Sequence, residues 1–155
     1  MSAASDQLAS AVREIQQANG VDDSATVLGG FSQGAMVTCN IVLRDGFVPQ
    51  LAVLFSGTLL NSDVWKEQAA KHAGCPVLQS HGRQDMVLPF APAELLRDML
   101  TENGFEVDFF MSGTIEFIFL FPCGMVCDLC PLRSQLSETY ITTTFAPTGT
   151  RSYKS

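Results

Sequence analysis

Short apolar segments and amphipathic segments alternate four times along residues 6–110, and this alternation is the strongest constraint on the fold. Residues 25–31 are apolar without alternating, which is typical of a strand covered on both faces. Residues 6–19 instead place apolar side chains every three or four positions, which predicts a helix. The predicted helices are 6–19, 33–44, 63–73 and 89–103, and the predicted strands are 25–31, 51–55, 76–80 and 105–110. This order predicts an α/β fold, with a mostly parallel sheet and helices on both of its faces.

The net charge of −7 arises from 9 basic and 16 acidic residues in a chain of 155. No run of Lys or Arg occurs, so the charge disfavours nucleic acid or an anionic membrane surface as a partner. The length fits one domain, and a hydrophobic content of 46% is enough to fill its core. We therefore expect one folded domain that binds no nucleic acid.

The character of the sequence changes after Ser112. Residues 1–112 contain 6 basic and 13 acidic residues, whereas residues 113–155 contain 3 of each. Residues 115–121 resemble one more strand, but the rest of the second part has no helical period. Residues 112–155 are therefore predicted to be an irregular, largely disordered tail.

Three of the five cysteines, Cys123, Cys127 and Cys130, lie close together in this tail. A structural zinc site usually has four ligands. Cys39 and Cys75 fall in predicted core elements, where Cys behaves as a small hydrophobic residue. We therefore predict no metal site.

Nothing at the N-terminus resembles a signal peptide, and the cysteines form no even disulfide pattern. These features favour a reducing, cytoplasmic location. The longest uncharged apolar stretch, residues 117–127, is far shorter than the roughly 20 residues that span a bilayer. No membrane span is expected.

Residues 30–34 read G-F-S-Q-G and lie where a predicted strand meets a predicted helix. This G-x-S-x-G pattern in this context is typical of a nucleophile elbow, which holds a serine in a tight turn. The glycines allow the strand and the helix to approach closely. The pattern predicts Ser32 as a nucleophile and the backbone N–H of Gln33 as an oxyanion donor. The alternative is a glycine-rich turn in which Ser32 caps the helix.

Asp85 follows the third predicted strand, so it is expected at the same edge of the sheet as Ser32. A serine nucleophile needs a base, and the base needs an acid to orient it. The order Ser then Asp is that of the α/β-hydrolases, which predicts Asp85 as the acid. The alternative is a turn residue or a cap for the following helix.

Three strings together carry a family resemblance: LGGFSQGAM at 28–36, LFSG at 54–57 and PVLQSHGRQD at 76–85. They resemble the phospholipase/carboxylesterase family of α/β-hydrolases, which includes acyl-protein thioesterases. The resemblance implies that residues 1–111 form the C-terminal part of a hydrolase domain, and that Ser32, Gln33 and Asp85 have the roles given above. It implies no cofactor. The implied substrates are carboxylic esters or thioesters, including lipidated proteins and lysophospholipids.

The family places its triad His in a Gly-Gly-His segment after the last predicted strand, where this sequence reads M-S-G-T-I-E at 111–116. The only two histidines are His72, on a predicted helix, and His81, which the family uses to shape the Asp loop. No triad His is found, and residues 112–155 are interpreted as non-homologous. Two hypotheses follow: a serine hydrolase with impaired activity, or a non-catalytic remnant or binding module.

The resemblance also bears on association. In the family, the strand that carries the serine lies in the middle of the sheet, next to a strand from an N-terminal part that is not matched here. Residues 25–31 would then form an exposed apolar edge. This edge predicts self-association of the chain.

Overall fold

The computed structural model of the chain describes residues 2–60, 62–71 and 74–112. Helices and strands alternate along these residues as predicted. The helices are α1 (Ser2–Asn19), α2 (Gln33–Arg44), α3 (Ser62–Ala69) and α4 (Phe90–Glu102), with a short 3-10 helix at Asp23–Ala25. The strands are β1 (Val27–Phe31), β2 (Leu51–Phe55), β3 (Pro76–Gly82) and β4 (Glu106–Ser112). The predicted tail and its three cysteines lie outside the described residues.

The four strands form one parallel sheet in the order β1-β2-β3-β4. The register pairs Phe31 with Phe55 and Phe55 with Ser80, so the strands end at nearly the same level. Since all strands run in the same direction, their carboxyl ends meet at one edge. The predicted parallel α/β architecture is confirmed, and β1 lies at one end of the described sheet.

Three strands differ in their bounds from the prediction because of local and tertiary hydrogen bonds. β1 begins at Val27 because Asp22 accepts hydrogen bonds from the backbone N–H and the hydroxyl of Ser24, at 2.9 and 2.6 Å, which stabilise a turn before the strand. β3 and β4 each extend two residues beyond their predicted ends, because His81 pairs with Met111 and Gly82 with Ser112. These extensions lengthen the sheet at its carboxyl edge.

The two faces of the sheet carry different cores. Side chains from all four described helices pack on one face, together with Leu28, Leu54 and Val77 from the strands. The other face carries a smaller cluster of strand residues, Val27, Leu51, Val53 and Leu78, with Phe55 against it. The helices predicted for this second face do not occur among residues 2–60, 62–71 and 74–112.

A buried polar chain connects three of the helices. Asn40 on α2 donates from Nδ2 to Ser5 Oγ at 2.9 Å, and Trp65 on α3 donates from Nε1 to Asn40 Oδ1 at 3.1 Å. Trp65 and Ser5 are fully buried. Since buried polar groups are costly when unpaired, this chain fixes how α1 and α3 pack on α2.

None of the helices in the described part of the chain is both long and apolar enough to cross a bilayer. Cys39 and Cys75 are free thiols and both are buried. Burial raises the pKa of the Cys75 thiol to about 12. Both cysteines therefore belong to the core, as predicted.

Candidate active site

Ser32 lies at a sharp turn between β1 and α2. Its backbone angles are φ 54° and ψ −117°, a conformation that a residue with a side chain rarely adopts. The Ser32 N–H donates to Phe55 O at 2.8 Å, which ties it to β2, while Ser32 O accepts from Met36 N at 3.2 Å, which begins the helix. Such backbone strain costs about 1–3 kcal/mol and persists only where the surroundings impose it.

Glycine at position 30 allows this turn to close. A Cβ atom on Gly30 would lie 2.3 Å from Gly34 C and 2.5 Å from Gly34 O. The end of β1 and the first turn of α2 are therefore in direct backbone contact. On the neighbouring strand, a Cβ on Gly29 would lie 2.9 Å from Val53 Cβ. Gly30 is thus required by the close approach of α2, and Gly29 by the close approach of β2.

The Ser32 side chain makes no capping hydrogen bond to α2, although Ser32 occupies the position before the first helical residue. The alternative of a simple helix cap is therefore not the arrangement found. Gln33 is the first residue of α2, where backbone N–H groups have no partner within the helix and favour negative charge. The turn therefore combines a partly exposed serine with the positive end of a helix dipole.

Asp85 lies just beyond β3 in a tight loop. Its Oδ1 accepts hydrogen bonds from the N–H groups of Val87 and Leu88, each at 2.9 Å. Its side chain is only 6% exposed, and Oδ2 lies 3.9 Å from His81 Nε2, which is too far for a hydrogen bond. Through Oδ1, Asp85 is thus the turn residue that the alternative interpretation predicted. A triad acid would use the second oxygen, so both interpretations are compatible.

His81 is fully buried at the end of β3, beneath this loop. Its Nε2 lies 2.8 Å from Leu88 O. Because a carbonyl oxygen only accepts, Nε2 carries the proton and donates it. The ring also packs edge to face against Phe90, with centroids 6.0 Å apart. Through Nε2, His81 therefore supports the loop that holds Asp85. His72 lies outside the described residues.

The sheet places Ser32 and Asp85 at the same edge. They follow β1 and β3, with β2 between them, and all three strands are parallel. A further unusual residue, Ser56, directly follows β2 at this edge and has φ 49°. The sequence contains the string LFSG here but carries no signal of that conformation. No group of three or more His, Cys, Asp or Glu side chains suited to a metal occurs in the part of the chain described.

The family model described as Phospholipase/Carboxylesterase matches residues 1–112. A curated relative, acyl-protein thioesterase 1 of Eremothecium gossypii, is 36% identical over 96 residues, which are 60% of this chain and 40% of the relative. The chain thus spans well under half the length of that protein.

Solved structures show the same fold. The carboxylesterase/phospholipase of Dyadobacter fermentans superposes with a TM-score of 0.60 at 24% identity, covering 72% of this chain and 54% of that one. SOBER1 of Arabidopsis thaliana gives 0.59 at 23% identity, covering 70% and 56%. Esterase PE8 gives 0.60 at 28% identity, covering 66% and 47%.

The family match reaches across every described strand and includes the elbow and the Asp loop. The relative is named a thioesterase, and two of the similar structures are named an esterase and a phospholipase/carboxylesterase. The α/β-hydrolase resemblance of the sequence is thereby confirmed, and the chain belongs to the phospholipase/carboxylesterase family.

Proposed function

We propose that the chain carries the nucleophile and the acid of a serine hydrolase that acts on carboxylic esters or thioesters. The observation that carries this proposal is Ser32, held in a strained turn at the start of α2 with a hydroxyl that does not cap the helix. A simple turn would have no reason to keep a serine there, because glycine adopts the same conformation without strain.

In this mechanism Ser32 Oγ attacks the carbonyl carbon of the substrate, and its proton passes to a base. The negative charge on the carbonyl oxygen is stabilised by the Gln33 N–H at the positive end of α2. Collapse of the intermediate expels the alcohol or thiol, which takes the proton, and leaves an acyl-serine. Water then attacks the acyl-serine, releasing the acid and restoring the hydroxyl.

Asp85 would orient the base through Oδ2, since its Oδ1 is already bonded to the loop N–H groups. The base is the missing component. The chain has two histidines, and Nε2 of His81 donates to Leu88 O. We therefore propose that the chain as it stands is impaired, with only the enhancement of about 10³–10⁴ over water that oxyanion stabilisation and binding can supply.

The proposed substrates follow the family and the relative named acyl-protein thioesterase 1. They are acyl esters or thioesters, with a lipidated protein or a lysophospholipid as candidates. No cofactor is required, because the chemistry uses side chains and backbone N–H groups only. A cytoplasmic location is part of the proposal, since lipidated protein substrates of this kind would be met there.

The test uses p-nitrophenyl acetate with the full chain and its Ser32→Ala variant. Without added base, the two should differ little. Imidazole supplied in solution should then raise the Ser32-dependent rate, and the Ser32→Ala variant corrects for hydrolysis by imidazole itself. Robust turnover without imidazole that Ser32→Ala abolishes would refute the missing-base interpretation.

The competing function is a non-catalytic binding module, favoured by the same lack of a base. A fluorophosphonate probe separates the two, because an activated serine reacts with it and an ordinary hydroxyl does not. Labelling lost in Ser32→Ala and kept in the exposed control Ser10→Ala supports the hydrolase. No labelling at Ser32, with imidazole present, supports the binding module.

A further inference from the structure

Ser56 combines two unfavourable features at the end of β2. It adopts φ 49°, and in the described part of the chain only Ser32 shares this property among residues other than glycine. It is also 1% exposed, and its Oγ has no hydrogen-bond partner among the described residues. A glycine would remove the strain and the buried hydroxyl together. The serine therefore points to an interaction that its hydroxyl makes.

Two hydrogen-bond acceptors on β3 are also buried without a partner. His81 donates from Nε2 to Leu88 O, so its Nδ1 is an acceptor, and Nδ1 is buried without a partner. Gln79 donates from Nε2 to Ala93 O at 2.8 Å, but its Oε1 is buried without a hydrogen-bond partner. Gln79 and His81 are two positions apart on one strand, so both lie on the face of the sheet that α4 covers.

The sheet brings Ser56 beside His81. Phe55 pairs with Ser80, and the Ser56 N–H donates to Ser80 O at 2.8 Å. Ser56 is the first residue after β2, and His81 is the residue that follows Ser80 on β3, so both come directly after the last paired position of these neighbouring strands. One buried hydroxyl donor and two buried acceptors are thus carried by neighbouring segments of the sheet, with no direct hydrogen bond between them.

We propose that one buried water molecule joins these three groups. The water accepts from Ser56 Oγ–H and donates its two protons to His81 Nδ1 and Gln79 Oε1. This gives the three hydrogen bonds typical of a buried water and satisfies all three orphaned atoms. Ser56 is then a positioning residue: through the water it orients the His81 ring, whose other nitrogen holds Leu88 O and the loop of Asp85.

The importance of this network for catalysis rests on the proposed role of Asp85, but its existence does not. The test is nuclear magnetic resonance of the full chain labelled with nitrogen-15 histidine. Only two imidazole rings contribute, and His72→Gln identifies the one that belongs to His81. No substrate is needed, so a failure of the hydrolase proposal at Ser32 leaves the result interpretable.

In the wild type we expect His81 as a single Nε2–H tautomer, with a cross-peak from long-lived water to its ring protons. In Ser56→Ala and Ser56→Gly the Nδ1 resonance should move toward that of a free acceptor and the water cross-peak should weaken, while Nε2 stays in place. Thr38→Val is the matched control, because it removes another buried, unpartnered hydroxyl, on α2, and should leave the ring spectrum unchanged.

Two results would overturn the proposal. One is a wild-type ring without a water cross-peak, which needs no variant and so does not depend on how the variants fold. The other is an unchanged His81 spectrum in Ser56→Gly together with a higher melting temperature. That outcome is expected if the Ser56 hydroxyl makes no hydrogen bond and the substitution only removes backbone strain.

Discussion

Replacing Gly30 by Ala tests the close crossing of β1 and α2 that creates the elbow. The added Cβ would lie 2.3 Å from Gly34 C, 2.5 Å from Gly34 O and 2.7 Å from Ala35 N. Carbon atoms in favourable contact are about 3.5–4.0 Å apart. All three contacted atoms are backbone atoms of the first turn of α2, so no side chain can rotate away to relieve the overlap.

The size of the stability loss in Gly30→Ala depends on which atoms must move to make room for the Cβ. Overpacking usually costs about 1–3 kcal/mol when neighbouring side chains can adjust. Here α2 itself must shift, and ten of its residues are buried. Alanine also makes the unfolded chain less flexible, which offsets about 0.4–1 kcal/mol of the loss in folding stability. We expect a net loss of about 3 kcal/mol, a large share of a total stability of about 5–15 kcal/mol.

The assay is urea unfolding followed by circular dichroism, with Gly20→Ala as the matched control. Gly20 has φ +67° and no atom within 4 Å of the added Cβ, so that variant should lose only the cost of a left-handed backbone, about 1–2 kcal/mol. Gly29→Ala, whose nearest contact is the Val53 side chain, should lie between the two. A Gly30→Ala chain that is as stable as Gly20→Ala would refute the close-crossing argument.

Four further predictions concern stability, reactivity and association. Ser32→Gly should raise the free energy of unfolding by about 1 kcal/mol, seen as a higher urea midpoint, because the gain from relieved strain exceeds the entropy cost of glycine, and a lower midpoint would contradict the strain argument. Asn40→Leu should destabilise by about 2 kcal/mol or more in the same assay, because it leaves the Trp65 N–H buried without its acceptor; a neutral effect would remove the polar chain from the packing of α2. With the three tail cysteines replaced by Ser, Ellman's reagent should react only after urea is added, because Cys39 is buried and burial raises the pKa of Cys75 to about 12; rapid reaction of the native chain would contradict this. Because β1 lies at the end of the described sheet, light scattering of the full chain should show oligomers, and a sharp monomer peak with a cooperative melt would argue against self-association.

Much of the fold follows from local patterns in the sequence. The helix at 33–44 and the strand at 51–55 have the predicted bounds, because apolar periodicity and flanking turn residues are encoded within each segment. The elbow could also be located, since the glycines around Ser32 are needed wherever a strand runs directly into a helix. The placement of Asp85 at the same edge follows from a parallel sheet, in which every strand ends on the same side.

Other features depend on partners that are distant in the sequence. The end of β3 is set by its pairing with β4, and the proton on His81 Nε2 is set by Leu88 O, seven residues away in a loop. The left-handed conformation of Ser56 accompanies its bond to Ser80 O on the neighbouring strand. The local pattern of apolar residues does not predict these contacts, because they form only when the strands are side by side.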